Sequence, residues 1–296
     1  MADEPVERDT PVGRDAQADG APGDGRLDDA APFPPFEPGP PSRALARNGA
    51  PRLRDIPPAM IVPSLVTVLA ICLGLTAVRL AFEGRFGLAI GAILAAAFLD
   101  GIDGRVARLL KASSRFGEQL DSLADVVNFG VVPALVLWAF LLHDLNSIGW
   151  IAALVYAIAM TLRLARFNAT LDDPGRAPWQ KEFFTGVPAP AGAGLVLLPV
   201  YLGLWGVERT EGFALLAVLY TLAIAFLLVS SLPVYSGKSS RLPSRWVVPI
   251  MLVGVVYVAL LVSYEWPTLT ATALAYLAFL PFSARLYRRR AARFGG

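Results

Sequence analysis

Residues 100–125 read DGIDGRVARLLKASSRFGEQLDSLAD. The stretch holds four aspartates, Asp100, Asp103, Asp121 and Asp125, at the end of one apolar run and the start of the next. Asp100 and Asp103 are three apart and Asp121 and Asp125 four apart, so each pair shares one helix face. Gly117 lies one turn before Asp121 on that same face. Between the pairs, Lys111-Ala-Ser-Ser-Arg115 is polar and interrupts the hydrophobic run. The spacing predicts a helical hairpin that turns there and brings the two carboxylate pairs together. Carboxylates beside a hydrocarbon region are costly, so such a cluster marks a functional site. Four negative charges this close repel one another unless a cation joins them. Hard oxygen ligands suit Mg²⁺ or Mn²⁺ better than zinc, and two facing pairs can hold one or two ions. A solvated loop would account for Arg105, Lys111 and Arg115. It would not account for four aspartates, two glycines and an alanine in this arrangement.

Outward from this stretch the chain is apolar. Of its 296 residues 55% are hydrophobic, and the mean hydropathy is +0.54. That excludes an ordinary soluble domain and predicts an all-α, polytopic integral membrane bundle. Eight apolar runs, each near the length of a bilayer span, lie at about 60–81, 88–109, 120–142, 149–167, 187–206, 212–232, 246–263 and 268–284. Cys72 is the sole cysteine and His143 the sole histidine, and His143 lies at a helix end away from the aspartates. No intrachain disulfide, thiolate metal site or histidine-based triad is therefore available, which leaves carboxylates as both metal ligands and base.

Basic residues set the expected orientation. Arg105, Arg108, Lys111 and Arg115 join spans 2 and 3. Arg163, Arg166, Arg176 and Lys181 cluster around spans 4 and 5, and Lys238, Arg241 and Arg245 follow span 6. The C-terminus adds Arg285, Arg288, Arg289, Arg290 and Arg293, whereas the opposite side offers only Arg79, Arg85 and Arg209. The positive-inside rule puts both termini and the four aspartates in the cytoplasm, in a cell (inner) membrane. Residues 1–50 are rich in Asp, Pro, Gly and Arg without hydrophobic periodicity and read as a disordered cytoplasmic tail. Residues 51–285 form the membrane domain and 286–296 a short basic tail. The start of the chain has no apolar core behind a basic head, so a cleaved secretory signal is not expected.

The stretch from Asp100 to Asp125 resembles the full signature of the CDP-alcohol phosphotransferases, D-x2-D-G-x2-A-R-x8-G-x3-D-x3-D, at every fixed position. The resemblance implies a divalent-metal site for the diphosphate of a CDP-linked lipid. It makes Asp100, Asp103, Asp121 and Asp125 metal-site residues, with Asp125 also the general base. Gly104, Ala107 and Gly117 would line the nucleotide pocket, and Arg108 would assist the phosphates. The family also tends to open its first span with a Pro-Asn-x-x-Thr-like segment. Here it reads Pro63-Ser64-Leu-Val-Thr67, which makes Ser64 and Thr67 nucleotide-contact candidates.

Three further segments bear on the acceptor alcohol. Arg163-Leu-Ala-Arg166-Phe-Asn168 carries two arginines on one helix face, a clamp for a carboxylate or phosphate or else a positive-inside anchor. Phe184-Thr185-Gly186-Val-Pro188-Ala-Pro190 makes a rigid helix start. Pro233-Val-Tyr235-Ser-Gly-Lys238 closes span 6. Together they resemble the phosphatidylserine synthase branch of that family. The resemblance implies CDP-diacylglycerol and L-serine as substrates, membrane lipids as surroundings, a homodimer, and no nucleic-acid partner. Arg163, Arg166, Asn168, Thr185, Tyr235 and Lys238 become acceptor-binding candidates. The same chemistry with glycerol 3-phosphate, inositol phosphate or choline is the alternative, and a cation transporter is a remote one.

Overall fold

The computed structural model describes residues 58–109, 115–169, 183–230, 233–235 and 244–294. The tail at 1–50 and Lys238 lie outside the described residues. Each of the eight apolar runs becomes helical. Helix α1 covers Pro58–Phe82 and α2 Phe86–Leu109, joined by a tight turn at Gly84. Helix α3, Arg115–Asp125, passes through a π-helical segment, Val126–Val131, into α4, Val132–Phe140. A 3-10 turn, Leu142–Leu145, leads to α5, Asn146–Ala169. The fifth run is split into α6, Ala189–Val196, and α7, Leu198–Trp205. Helices α8, Glu211–Val229, α9, Val247–Ser263, and α10, Glu265–Phe294, complete the set. Among the described residues, five helical segments are long and apolar enough to cross a membrane: Val62–Phe82, Phe86–Arg105, Phe116–Phe140, Leu142–Ala169 and Glu211–Val229. Ala189–Trp205 and Val247–Ser263 are shorter apolar helices. The chain is thus an all-α polytopic membrane bundle. Among the described residues the one addition is a three-residue antiparallel pair, β1 (Phe183–Thr185) with β2 (Pro233–Tyr235).

Small side chains let the helices approach. Ala70, Ala77 and Ala81 of α1 are buried, as are Ala89 and Ala96 of α2, so the first hairpin packs along its length. Larger residues fill the centre, where Phe129, Leu137, Tyr156, Met160, Leu195 and Ile224 are almost fully covered. Outside, Leu65, Phe98, Leu154, Leu216 and Phe226 are exposed, as befits side chains that meet lipid.

Two prolines shape the interior, and two tyrosines compensate for them. Pro133 has no N–H to give, and the Phe129 carbonyl one turn before it accepts instead from the Tyr156 hydroxyl at 2.9 Å. Pro199 likewise frees the Leu195 carbonyl, which accepts from the Tyr220 hydroxyl at 2.8 Å. In hydrocarbon an unmet carbonyl is expensive, so each bond holds open a break that the proline introduced. The first break is the π segment that directly follows Asp125, a local irregularity of a kind often found at functional sites.

Candidate functional site

The aspartates converge at the α2–α3 ends. Carboxylate oxygens of Asp100, Asp103 and Asp121 all lie within 4.8 Å of one another. Asp125 joins them from the next turn of α3, within hydrogen-bonding reach of Asp100. Asp103 is only 3% exposed, and Asp100 and Asp125 are half-buried. A compact set of carboxylate oxygens from two helices fits a hard divalent cation. One buried oxygen, Oδ1 of Asp100, has no hydrogen-bond partner and is free to ligate.

Asp103 is held from two sides. The Thr67 hydroxyl of α1 lies 2.8 Å from its Oδ2, and the Gly104 amide lies 2.5 Å from its Oδ1. Thr67, predicted to touch the nucleotide, thus holds one of the clustered carboxylates in this structure. Its hydroxyl also lies 3.1 Å from the Pro63 carbonyl, so it has two acceptors available. Ser64 sits one turn earlier on α1 and is half-buried. A Cβ built on Gly104 would meet nothing within 4 Å, which leaves open space where a ligand can approach the backbone. Gly117 is half-buried on α3. Ala107 and Arg108 continue α2, and their side chains lie outside the described residues.

The acceptor candidates separate into two groups. Arg166 is committed to the end of α8. It donates to the carbonyls of Val229 at 2.7 Å, Ser230 at 3.1 Å and Leu228 at 3.4 Å, which would otherwise be orphaned at that terminus. Gly186, at φ +83°, fits against the same place, since a Cβ there would meet the Leu228 and Ser230 carbonyls at 3.0 and 3.2 Å. Arg163 is different. It is 6% exposed, it lies beside Asp125 electrostatically, and its Nε has no hydrogen-bond partner. Its guanidinium stacks over Phe167 at 5.5 Å from the ring centre. Asn168 donates to the Ser122 hydroxyl at 3.0 Å, tying the end of α5 to the turn between Asp121 and Asp125. Thr185 pairs with Pro233 and Phe183 with Tyr235, so the two loop segments singled out in the sequence meet as neighbouring strands. The side chains of Thr185 and Tyr235 lie outside the described residues.

Two residues near the site carry no signal in the signature. Asn128 lies in the π segment, 2% exposed, with neither side-chain polar atom partnered. A Cβ on Gly74 of α1 would overlap it. Tyr276 of α10 buries an unpartnered hydroxyl within electrostatic reach of Arg163. A lone amide or phenol inside an apolar run was the only available hint.

Comparison with known proteins agrees with this geometry. Residues 60–229 match the model of the CDP-alcohol phosphatidyltransferase family, and residues 245–281 match that of CDP-alcohol phosphatidyltransferase 2. The CDP-diacylglycerol–serine O-phosphatidyltransferase of Mycobacterium leprae (strain TN) is 42% identical over 246 residues, 82% of this chain and 80% of its own. The protein of that name from Mycobacterium tuberculosis (strain ATCC 25618 / H37Rv) is 41% identical, covering 81% of this chain and 84% of its own. The one from Bacillus subtilis (strain 168) is 37% identical over 46% of this chain and 74% of its own. With the signature aspartates gathered at one site and the family match spanning α1 to α8, the chain belongs to the CDP-alcohol phosphatidyltransferase family.

Proposed function

We propose that the protein transfers the phosphatidyl group of CDP-diacylglycerol to L-serine, giving phosphatidylserine and CMP. The observation that carries this reading is the convergence of the signature aspartates beside a buried arginine, Arg163. The two mycobacterial relatives that bear the name of this activity cover most of the chain and support the serine acceptor.

In this reading Asp100, Asp103, Asp121 and Asp125 hold Mg²⁺ or Mn²⁺, as two ions. A cation there would neutralise the diphosphate and make CMP a better leaving group. Asp125 takes the proton of the serine hydroxyl as its oxygen attacks the phosphorus bearing diacylglycerol. The bond from that phosphorus to the CMP oxygen breaks. Arg163, buried behind Asp125, holds the serine carboxylate, and its missing Nε partner is the place for an acceptor oxygen. Arg166, already committed to three carbonyls, shapes the pocket wall. Thr67 fixes Asp103, and the open face at Gly104 receives the nucleotide. Ser64, Ala107, Arg108 and Gly117 line the CDP-lipid pocket, while Asn168, Thr185, Tyr235 and Lys238 complete the acceptor side. The basic connections between spans support a site on the cytoplasmic face of the inner membrane. The homodimer that the family resemblance implies belongs to this proposal too.

The test is an acceptor panel. Purified protein with CDP-diacylglycerol and Mg²⁺ or Mn²⁺ is given serine, glycerol 3-phosphate, inositol phosphate or choline. Lipid product with serine alone is expected, and product with another alcohol in its place would sink the serine assignment.

A further inference from the structure

Tyr276 stands on α10, inside the second family match at 245–281 and outside the 60–229 match that contains the aspartate signature. Helix α10 packs on α6 and on β2. It thereby meets the elements that follow Gly186 and that carry Tyr235. The Tyr276 side chain is only half-buried, yet its hydroxyl is fully covered and without a hydrogen-bond partner. A phenol in an apolar interior normally finds an acceptor, because leaving the group unmet forfeits the hydrogen bond it had in water. Tyr156 and Tyr220 show the usual solution in this same bundle, each donating to a freed carbonyl. Among the described residues Tyr276 has no such carbonyl. Within its electrostatic reach lies Arg163, itself 6% exposed with an unpartnered Nε.

Two buried donor atoms without partners, the Nε of Arg163 beside Asp125 and the Tyr276 hydroxyl within electrostatic reach of that arginine, are suited to a small anion. Helix packing alone would not need them.

We propose that Tyr276 is a further acceptor-binding residue, whose hydroxyl donates to the acceptor carboxylate that Arg163 holds. The assignment rests on the serine reading above. It gives α10 a role in acceptor recognition, and the two donors would select an alcohol that carries a carboxylate at short range from its hydroxyl.

The experiment uses the full-length protein and compares wild type with Tyr276→Phe, which removes only the hydroxyl. CMP release is measured against L-serine and against CDP-diacylglycerol, and then with serinol, a serine analogue without the carboxylate. The variant should raise the KM for serine about tenfold, leave the KM for CDP-diacylglycerol within twofold, and narrow the preference for serine over serinol. Thermal unfolding of the variant should match wild type, which separates a recognition role from a structural one. An unchanged serine KM in the active variant overturns the assignment, as does an equal rise for both substrates. Wild-type turnover with an alcohol other than serine is a different result: it defeats the serine reading and this assignment with it.

Discussion

Asp125 tests the site at the level of single atoms. Asp125→Asn keeps the side chain's size and removes its basicity. Positioned general bases contribute roughly 10²–10⁴-fold, so the variant should lose turnover by that factor while still binding CDP-diacylglycerol. CMP release paired with a lipid-binding measurement checks it. Thr67 makes a separate prediction. Its hydroxyl is the side-chain donor that the structure places on Asp103, at 2.8 Å. Partners that orient metal ligands are worth roughly 10–100-fold in metal affinity, so Thr67→Val should shift half-maximal activity to about tenfold higher Mg²⁺. A metal titration that superimposes on wild type would remove Thr67 from the site.

At the scale of elements, the turn at Gly186 is the most demanding backbone position near the site. Its φ of +83° and the carbonyls of Leu228 and Ser230 at 3.0 and 3.2 Å leave no good place for a Cβ. Gly186→Ala should destabilise the protein by about 1–2 kcal/mol, read as a lower unfolding temperature in detergent. The sequence made the helical runs readable because apolar stretches of bilayer length have few other solutions. It made the aspartate pairs readable because three- and four-residue spacings fix a helix face. Other features were hidden for physical reasons. The π segment after Asp125 arises from Pro133 together with Tyr156, a residue on another helix whose hydroxyl reaches the Phe129 carbonyl. The split between α6 and α7 depends in the same way on Tyr220. The two arginines of Arg163-Leu-Ala-Arg166 look alike in sequence. Only tertiary packing shows that one caps α8 while the other stays buried beside Asp125 with its Nε unpartnered. The sequence singled out Thr67 but not its partner, since Asp103 lies on a different helix.

At the scale of the whole molecule, the proposed site draws on α1, α2, α3 and α5, with Arg166 tying α5 to the end of α8 and Tyr276 added from α10. All the residues assigned to it lie between Ser64 and Tyr276. Removing residues 1–40 should therefore leave turnover intact, and a well-folded truncation that has lost activity would give that segment a role in catalysis. Metal dependence belongs to this scale too. Stripping divalent cations with a chelator should abolish activity, and adding back Mg²⁺ or Mn²⁺ should restore it. The most direct measurement is CMP release from CDP-diacylglycerol by the purified protein with and without L-serine, in the presence of Mg²⁺ or Mn²⁺, with Asp125→Asn alongside. Release that requires serine and metal and falls at least a hundredfold in the variant is the predicted result. Serine-independent release, or full activity in Asp125→Asn, would contradict a metal-assisted transfer to serine at the four aspartates.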